Sequence, residues 1–448
     1  MQLSLLTSLL SVASAKLGNS KYDDVDYEIQ KFEDAVSPQV VVVSLFKPEA
    51  EIWHNKLNKT DLALTEKITI PGLSPLFPSI YCSSDYTLCN VITGEGEINA
   101  AATMTAFLSS AQFNLTETYF LVAGIAGIDP NQGTLGSAAF SRFTVQVANQ
   151  YEIAPQEAPV NWTSPYWQYG TEEPFKAPQE WYGTEVFEVN EALRDRAAKL
   201  AFSAELADSA AANKTRNLYN SSQAATLTPG ILKCDSSTSD VYFTGTLLDE
   251  AFAHTTKVLT NGSATYCVTA QEDSAVLEAA LRNAKFGLTD FARWVLLRTA
   301  SDFDRPPAVL GNDSVGFFNN NNTGGFEIAI ENLYNAGYPF VKDVLKNWNG
   351  TYKNGTDIPG KLPLSTPVGS INLTNSSSFQ NITASNYTLT NLSNATNGTI
   401  STNGSNLSNS TNGTYAPTNY IGDVFGTLGG KPDYGNSIGH DSLETDSL

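Results

Sequence analysis

The sequence predicts an α/β protein in which a mostly parallel or mixed central sheet is covered by helices on both faces. Apolar segments of strand length recur along the chain and alternate with segments of helical periodicity. With 41% hydrophobic and only 16% charged residues, the body of the chain has ample material for a core. We therefore expect a single folded domain, followed by a C-terminal segment of different composition.

The first half of the chain contains three predicted strands and one helix. They are a strand at 40–45 that breaks into a loop at Pro48, a strand at 90–93, a helix at 98–112 that follows the Gly94-x-Gly96 turn, and a strand at 119–122. The β-branched composition of the first run and the apolar residues of the other two predict buried strands of a parallel sheet.

The second half continues the alternation. The predicted elements are a half-buried strand at 140–148, a structured loop insertion at 154–180 rich in Pro and aromatic residues, helices at 189–209 and 274–285, strands at 241–244 and 292–298, and an amphipathic helical region at 327–348. A single domain is thus expected over residues 16–361.

The two ends of the chain differ from this body. Residues 1–15 combine a short apolar run with a small-x-small pattern, which is typical of a secretory signal peptide. Residues 362–415 are dominated by Asn, Ser and Thr in closely spaced Asn-x-Ser/Thr sequons, which predicts a disordered, N-glycosylated stalk before an acidic tail at 416–448. We expect a secreted or cell-surface glycoprotein that does not span the membrane, because no apolar run reaches about 18 residues.

Charge and cysteine content exclude several classes of function. A net charge of −20 repels the phosphates of nucleic acids, so no nucleic-acid partner is expected. The three histidines are scattered and no C-x-x-C occurs, so neither a metal nor another cofactor is expected. Four cysteines in a secreted chain favour two disulfides with three connectivities open, of which we expect the two pairs that bracket short loops: Cys82–Cys89 and Cys234–Cys267.

Several motifs lie next to predicted strand ends, where α/β sheets place ligand chemistry. They are Arg298-Thr299-Ala300-Ser301-Asp302, Gln271-Glu272-Asp273, Gly94-Glu95-Gly96 within residues 93–101, and Gly124-Ile125-Ala126-Gly127. Together they resemble the nucleoside phosphorylase and nucleosidase superfamily. Residues 49–53, 150–153 and 182–188 make the chain similar to the purine nucleoside permease branch, over residues 40–348. This resemblance implies a three-layer, nucleoside phosphorylase-like α/β fold.

The resemblance also implies roles for particular residues in breaking a purine N-glycosidic bond. The departing base gains negative charge, and in similar proteins the Ser-Asp of the late strand protonates it, which implies Asp302 as general acid, positioned by Ser301 and Arg298. A Met-Glu pair holds the ribose hydroxyls in such proteins. Here the matching pair is Gln271-Glu272, so Glu272 takes that role and Gln271 departs from the usual Met.

The nucleophile distinguishes phosphorolysis from hydrolysis. Phosphorylases of the superfamily bind phosphate through an Arg and a Ser on the strand that ends in Gly-x-x-Gly, whereas this chain has Val122 and Ile125 in those places. Similar nucleosidases activate water with a glutamate after the first strand, which implies Glu49 as the second catalytic residue, with Glu51 as the alternative. Hydrolysis is therefore favoured. Gly94 and Gly124 complete the expected substrate-binding set.

Each of these motifs also has a structural alternative. Asp302 is of a type that caps turns, Glu49 is compatible with a solvated loop carboxylate, and Gly94-x-Gly96 is compatible with a simple tight turn. The aromatic residues of the loop insertion are either loop packing or a purine-stacking lid: Trp162, Tyr166, Trp167 and Trp181.

The expected function is that of a purine nucleoside permease-like protein. It would bind purine nucleosides outside the membrane and support their uptake by cleaving the N-glycosidic bond. The alternative is a non-catalytic nucleoside-binding, transport or storage protein with the same fold. The sequon-rich segment alone suggests a third class, a cell-wall structural glycoprotein. A homo-oligomer is compatible with the sequence, which leaves the oligomeric state and the preferred base open.

Overall fold

A computed structural model describes residues 35–311, 313–319 and 323–355. The expected signal peptide at 1–15, the sequon-rich segment at 362–415 and the acidic tail at 416–448 lie outside these residues. The described residues include those of every sequence motif that carries a proposed chemical role.

Strands and helices alternate through most of the described chain. The elements up to the loop insertion are β1 (Val40–Ser44), α1 (Lys47–Leu57), β2 (Leu64–Thr69), β3 (Ser79–Ser83), β4 (Leu88–Ile92), α2 (Glu97–Leu108), β5 (Tyr119–Ile128), β6 (Ala138–Ser141), β7 (Phe143–Gln146), β8 (Tyr151–Glu152) and β9 (Tyr166–Trp167). The later elements are β10 (Val186–Glu188), α3 (Glu191–Ala201), α4 (Ala210–Arg216), β11 (Ile231–Leu232), β12 (Asp235–Thr238), α5 (Thr246–Leu259), β13 (Tyr266–Ala270), α6 (Asp273–Lys285), β14 (Trp294–Phe303), α7 (Ser314–Asn319) and α8 (Phe326–Lys346).

The central sheet is mixed. Its main path runs β10-β7-β12-β13-β5-β1-β4-β3-β2, while β14 pairs with both β5 and β6, and β11 pairs with β6. Strands β1, β4, β5 and β14 are mutually parallel, whereas β13 runs antiparallel to β5. The carboxyl ends of the four parallel strands therefore meet at one edge, where a ligand site is expected.

Helices cover both faces of this sheet, which makes three layers. Alternate residues of β1 and β14 point to opposite faces, so Val41 packs with α2 and α6, whereas Val42 packs with α1, α3 and α8. Trp53 and Phe340, both fully buried, lie beneath the second face. The predicted three-layer α/β class with a mixed sheet is confirmed.

Three element predictions are wrong in position. Pro48 lies in the first turn of α1 rather than in a loop, a position that tolerates proline because the first helical N–H groups have no partner in the helix. The predicted strand at 140–148 is broken at Arg142, where β6 pairs with β14 and β7 turns to pair with β12. The predicted helix at 189–209 ends at Ala201, and Ser209 caps the separate helix α4.

The predicted strand at 241–244 is also wrong, because those residues form a loop and the strand is β12 at Asp235–Thr238. The polar sequence of β12 did not indicate a buried strand. The hydroxyls of β12 are buried but paired, Ser236 with Asp273 at 2.7 Å and Thr238 with Thr144 at 2.7 Å, so they remain hydrogen-bonded inside the core.

Both expected disulfides are present. Cys82–Cys89 joins β3 to β4, and Cys234–Cys267 joins the residue before β12 to β13. The second bridge fixes the strand whose carboxyl end leads directly into Gln271 and Glu272. Among the helices of the described ranges, none combines the length and apolarity that crossing a bilayer requires.

Candidate functional site

Glu49 lies at the edge where the parallel strands end. It is the third residue of α1, and the helix N-terminus favours a carboxylate there. Its Oε2 accepts a hydrogen bond from the Leu45 amide at 2.7 Å, and its Oε1 accepts one from the Ile125 amide at 2.7 Å. Glu49 is only 1% exposed. The alternative of a solvated loop carboxylate is therefore wrong.

Arg298 is the cation at the centre of a cluster of acids. It lies in the middle of β14. Its Nη2 pairs with Asp273 at 2.5 Å and with Glu272 at 3.1 Å, and its Nη1 donates to the Ile125 carbonyl at 2.9 Å. Glu272 and Asp273, at the start of α6, are 4% and 0% exposed. Because Glu49 also lies near this guanidinium, we call Glu49, Glu272, Asp273 and Arg298 the arginine cluster.

Glycines at two positions shape the backbone beside this cluster. A Cβ on Gly124 would stand 2.7 Å from Nη1 of Arg298 and 2.6 Å from a Leu45 methyl, so the guanidinium occupies the space that a side chain would fill. Gly94 has a φ of +82°, a backbone conformation that L side chains rarely adopt, and it forms the tight turn into α2. The amide of Gly96 in that turn donates to Oε1 of Glu272 at 3.0 Å.

Asp302 lies four residues beyond Arg298, near the end of β14. Its Oδ1 is 2.6 Å from the Ser301 hydroxyl, and its Oδ2 accepts a hydrogen bond from the Tyr242 hydroxyl at 3.0 Å. Ser301 is also hydrogen-bonded to the Ala126 carbonyl at 3.1 Å. Asp302 therefore belongs to the strand and caps no helix, contrary to the structural alternative.

The arginine cluster and Asp302 lie along the paired strands β5 and β14. Arg298 is registered opposite Gly124 and Asp302 opposite Gly127, so about 10 Å of β5 separates them at about 3.3 Å per residue. This separation is comparable to the length of a nucleoside. The structure thus brings Glu49, Glu272 and Arg298 together and places Asp302 with Ser301 farther along the same edge.

Residues 239–245, which the sequence did not identify as part of the site, connect its parts. The side chain of Gln271 donates to the Asp240 carbonyl at 3.0 Å, and the Asp240 carboxylate accepts from the Glu97 amide at 2.8 Å. At the other end, the Asp304 carbonyl accepts from Thr244 at 2.6 Å. We call this segment the bridging loop. No motif marks it, because its partners lie at separate places in the chain, such as Glu97, Gln271 and Asp304.

The environment shifts the acid–base properties of these carboxyls. Burial, aided by the charge of Glu272 and opposed by that of Arg298, raises the pKa of Glu49 to about 8. Burial likewise raises the pKa of Glu272, offset by Arg298. Desolvation raises the pKa of Asp302 against the hydrogen bonds from Ser301 and Tyr242. Perturbed carboxyls at one strand edge are typical of functional sites.

The remaining candidates lie away from this edge. Glu51, the alternative to Glu49, is 40% exposed and pairs with Lys47 at 3.6 Å. Trp162 and Trp167 contact each other with ring centroids 5.2 Å apart in the loop insertion, and Tyr166 packs on Phe252 at 5.0 Å. These contacts are those of loop packing.

Comparison with known proteins agrees with the motifs. The model of a family described as purine nucleoside permease matches residues 37–357. A purine nucleoside permease of Candida albicans is 40% identical over 402 residues, which is 89% of this chain and 83% of the relative. A probable purine nucleoside permease of Schizosaccharomyces pombe is 36% identical over 322 residues, which is 70% of this chain and 90% of the relative.

Among solved structures, a 5′-methylthioadenosine/S-adenosylhomocysteine nucleosidase from Neisseria meningitidis, in complex with methylthio-immucillin-A, matches with a TM-score of 0.40 and 13% identity. The match covers 70% of this chain and 99% of the nucleosidase. The family model and the two fungal relatives each extend over most of the described domain. The chain therefore belongs to the purine nucleoside permease family.

Proposed function

We propose that this protein binds purine nucleosides outside the membrane and cleaves their N-glycosidic bond with water, and that it supports nucleoside uptake in this way. The observation that carries the proposal is the composition of the strand edge. Three carboxyls, those of Glu49, Glu272 and Asp273, surround the guanidinium of Arg298. A fourth, that of Asp302, lies about 10 Å farther along the same edge, out of contact with Arg298. Such an edge can donate a proton to a leaving base and stabilise a positively charged sugar.

Asp302 supplies the acid at the base end. Its proton would pass to N7 of the purine as the bond between C1′ and N9 breaks, so that the base leaves without a negative charge. Ser301 and Tyr242 hold the two oxygens of Asp302, at 2.6 Å and 3.0 Å, and burial raises the pKa of this carboxyl, which favours its protonated form.

Glu272 binds at the ribose end. Its two oxygens are held by the Gly96 amide and by Arg298, which fixes the carboxylate while leaving lone pairs free for the 2′ and 3′ hydroxyls. Negative charge at this end stabilises the oxocarbenium character that the ribose acquires in the transition state.

The charge balance supports water over phosphate as the nucleophile. All three nitrogens of the Arg298 guanidinium already donate to protein acceptors, Asp273, Glu272 and the Ile125 carbonyl. A phosphate dianion would therefore meet an excess of carboxyl groups without a free cation to bind it. Val122, at a place where phosphorylases of the superfamily carry a polar phosphate ligand, is fully buried in β5.

Glu49 is the group proposed to activate the water. In its ionised form it would accept the water proton as the oxygen attacks C1′. With a pKa of about 8, it is largely uncharged at neutral pH, so its base form increases as the pH rises toward 8.

A second candidate, binding without cleavage, is favoured by one observation. Both oxygens of Glu49 are engaged by backbone amides, of Leu45 and Ile125. A carboxyl held in this way stabilises the start of α1 and the end of β5 without any nucleophile. The protein would then retain its nucleoside site as a binding protein for uptake.

Two features support action outside the membrane. The two disulfides are typical of proteins that fold in an oxidising compartment. In the part of the chain that the structure covers, no helix is suited to crossing a bilayer, so uptake through this domain is proposed to depend on capture or cleavage of the nucleoside.

The nucleoside site can be tested by calorimetric titration of the purified protein with adenosine, inosine, guanosine and, for comparison, uridine. We expect binding of the purine nucleosides, and weaker binding by Glu272→Gln because the ribose hydroxyls lose a charged acceptor. The exposed neighbour Glu95 provides the matched control, Glu95→Gln, which should bind like the wild type. Equal binding of purine nucleosides and uridine, or none of either, would contradict the proposal.

A further inference from the structure

Tyr242 makes a contact that the proposed reaction does not use. Its hydroxyl donates to Oδ2 of Asp302 at 3.0 Å, while Oδ1 is occupied by Ser301. Ser301 is itself fixed to the Ala126 carbonyl of β5. Oδ2 is therefore the oxygen of Asp302 that faces away from the strand partners, and it is the one available to a base.

The bridging loop holds Tyr242 between two fixed points. On one side, Asp240 is bound by Gln271 and by the Glu97 amide. On the other side, Phe243 is buried against Phe252 with ring centroids 4.7 Å apart, and the Gly245 amide donates to the Asp304 carbonyl at 3.0 Å.

Between these points the chain is open to solvent. Val241 is 69% exposed and Tyr242 is 46% exposed. The ring of Tyr242 meets Phe318 of α7 edge-on, with centroids 5.4 Å apart. An outward turn of Tyr242 would therefore break its contact with Phe318 but leave the buried Phe243 in place.

We propose that Tyr242 is a positioning residue for Asp302. The Tyr242 hydroxyl occupies the position that a ring nitrogen of the purine takes when it binds. In the ligand-free protein, the Tyr242 hydroxyl keeps the carboxyl of Asp302 oriented and excludes water from Oδ2. When the purine enters, its ring nitrogen accepts from Asp302 at the same position, and Tyr242 turns outward. This inference rests on the proposed function, which places the purine base against Asp302.

The geometry supports exclusion rather than simultaneous binding. A Cβ on Gly127 would lie 3.5 Å from Oδ2 of Asp302 and 2.8 Å from the Thr269 hydroxyl, so the backbone of β5 and the Thr269 side chain of β13 lie beside this oxygen. The open approach is the one that Tyr242 fills. A base and the Tyr242 hydroxyl then compete for one oxygen atom, and removal of the hydroxyl should favour the base.

The test measures the Kd of adenine and of hypoxanthine by calorimetry for the wild type, Tyr242→Phe, Asp302→Ala and the double variant. Tyr242→Phe keeps the ring contact with Phe318 and should tighten base binding roughly 3- to 10-fold, since a competing hydrogen bond to a carboxyl is lost. In the Asp302→Ala background the same change should have no effect. The control is Tyr86→Phe, at the turn between β3 and β4.

A ligand-free measurement separates this inference from the proposed function. Hydrogen exchange at residues 241–243 should become faster in both Tyr242→Phe and Asp302→Ala, because each removes the same hydrogen bond. Unchanged exchange in Asp302→Ala, or weaker base binding by Tyr242→Phe, overturns the role of Tyr242. If the wild type binds neither base, the proposed function fails, and the exchange measurement alone decides whether Tyr242 is held by Asp302.

Discussion

The guanidinium of Arg298 packs against the Cα of Gly124 in β5, in the space that a side chain at this position would fill. The contact explains why a glycine is needed in the middle of a buried strand, where glycine ordinarily weakens the sheet. It also links the position of the arginine cluster directly to the backbone of β5.

Gly124→Ala should displace Arg298 and weaken both stability and nucleoside binding. The added methyl would stand 2.7 Å from Nη1, which forces the guanidinium or β5 to shift, at a cost of about 1–3 kcal/mol. Gly230→Ala is the matched control, because a Cβ there meets no atom within 4 Å. Thermal unfolding and titration with inosine measure both effects, and equal behaviour of the two variants would contradict this role of Gly124.

Arg298→Met should destabilise the protein by about 3–5 kcal/mol, since it leaves buried carboxylates without their cation. The affected groups are Asp273 and Glu272, both nearly inaccessible to solvent. Lys56→Met removes the partner of Glu331 from an exposed surface pair and should cost about 0–1 kcal/mol at most. Denaturant unfolding compares the two, and a similar small loss in both would show that the arginine cluster contributes little to stability.

Asp302→Asn should lower turnover by about 10² to 10⁴ while nucleoside affinity changes little, because the side chain keeps its shape but loses the transferable proton. Single-turnover release of base and equilibrium titration report the two quantities separately. A parallel loss of affinity and turnover would instead assign Asp302 to binding.

The melting temperature of the wild type should fall relative to that of Glu49→Gln as the pH rises from 4.5 to 8. The pKa of Glu49 is about 8 in the folded protein and near its ordinary value of 4.5 in the unfolded chain. Between pH 4.5 and pH 8, the unfolded chain therefore releases a proton from Glu49 that the folded chain retains. The contribution of Glu49 to the free energy of unfolding falls as the pH rises through this range. The exposed Glu51→Gln is the control. A pH-independent difference between Glu49→Gln and the wild type would show that Glu49 is ionised in the fold.

The sequence predicted the buried strands well, because β1 and the first four residues of β14 are apolar on both faces, as in the centre of a covered sheet. It did not predict β12, whose Ser and Thr hydroxyls are satisfied only by residues distant in the chain, such as Asp273 and Thr144. Local pattern carries no information about such partners.

The residues of the candidate site were likewise only partly predictable from the sequence. Asp302 and Glu272 lie in short motifs next to strand ends and were found for that reason. Tyr242 lies 60 residues before its partner Asp302, in a loop that propensity assigns to a strand. The burial of Glu49 beside Ile125 likewise depends on the pairing of β1 with β5, which only the fold reveals.

The most direct test of cleavage by water is the release of free base from inosine, adenosine and guanosine by the purified protein, with and without phosphate. Cleavage by water predicts equal release of base in both buffers, accompanied by free ribose, and greatly reduced release by Asp302→Asn. Release that requires phosphate and yields ribose 1-phosphate would contradict hydrolysis, and tight binding without any release of base would contradict cleavage.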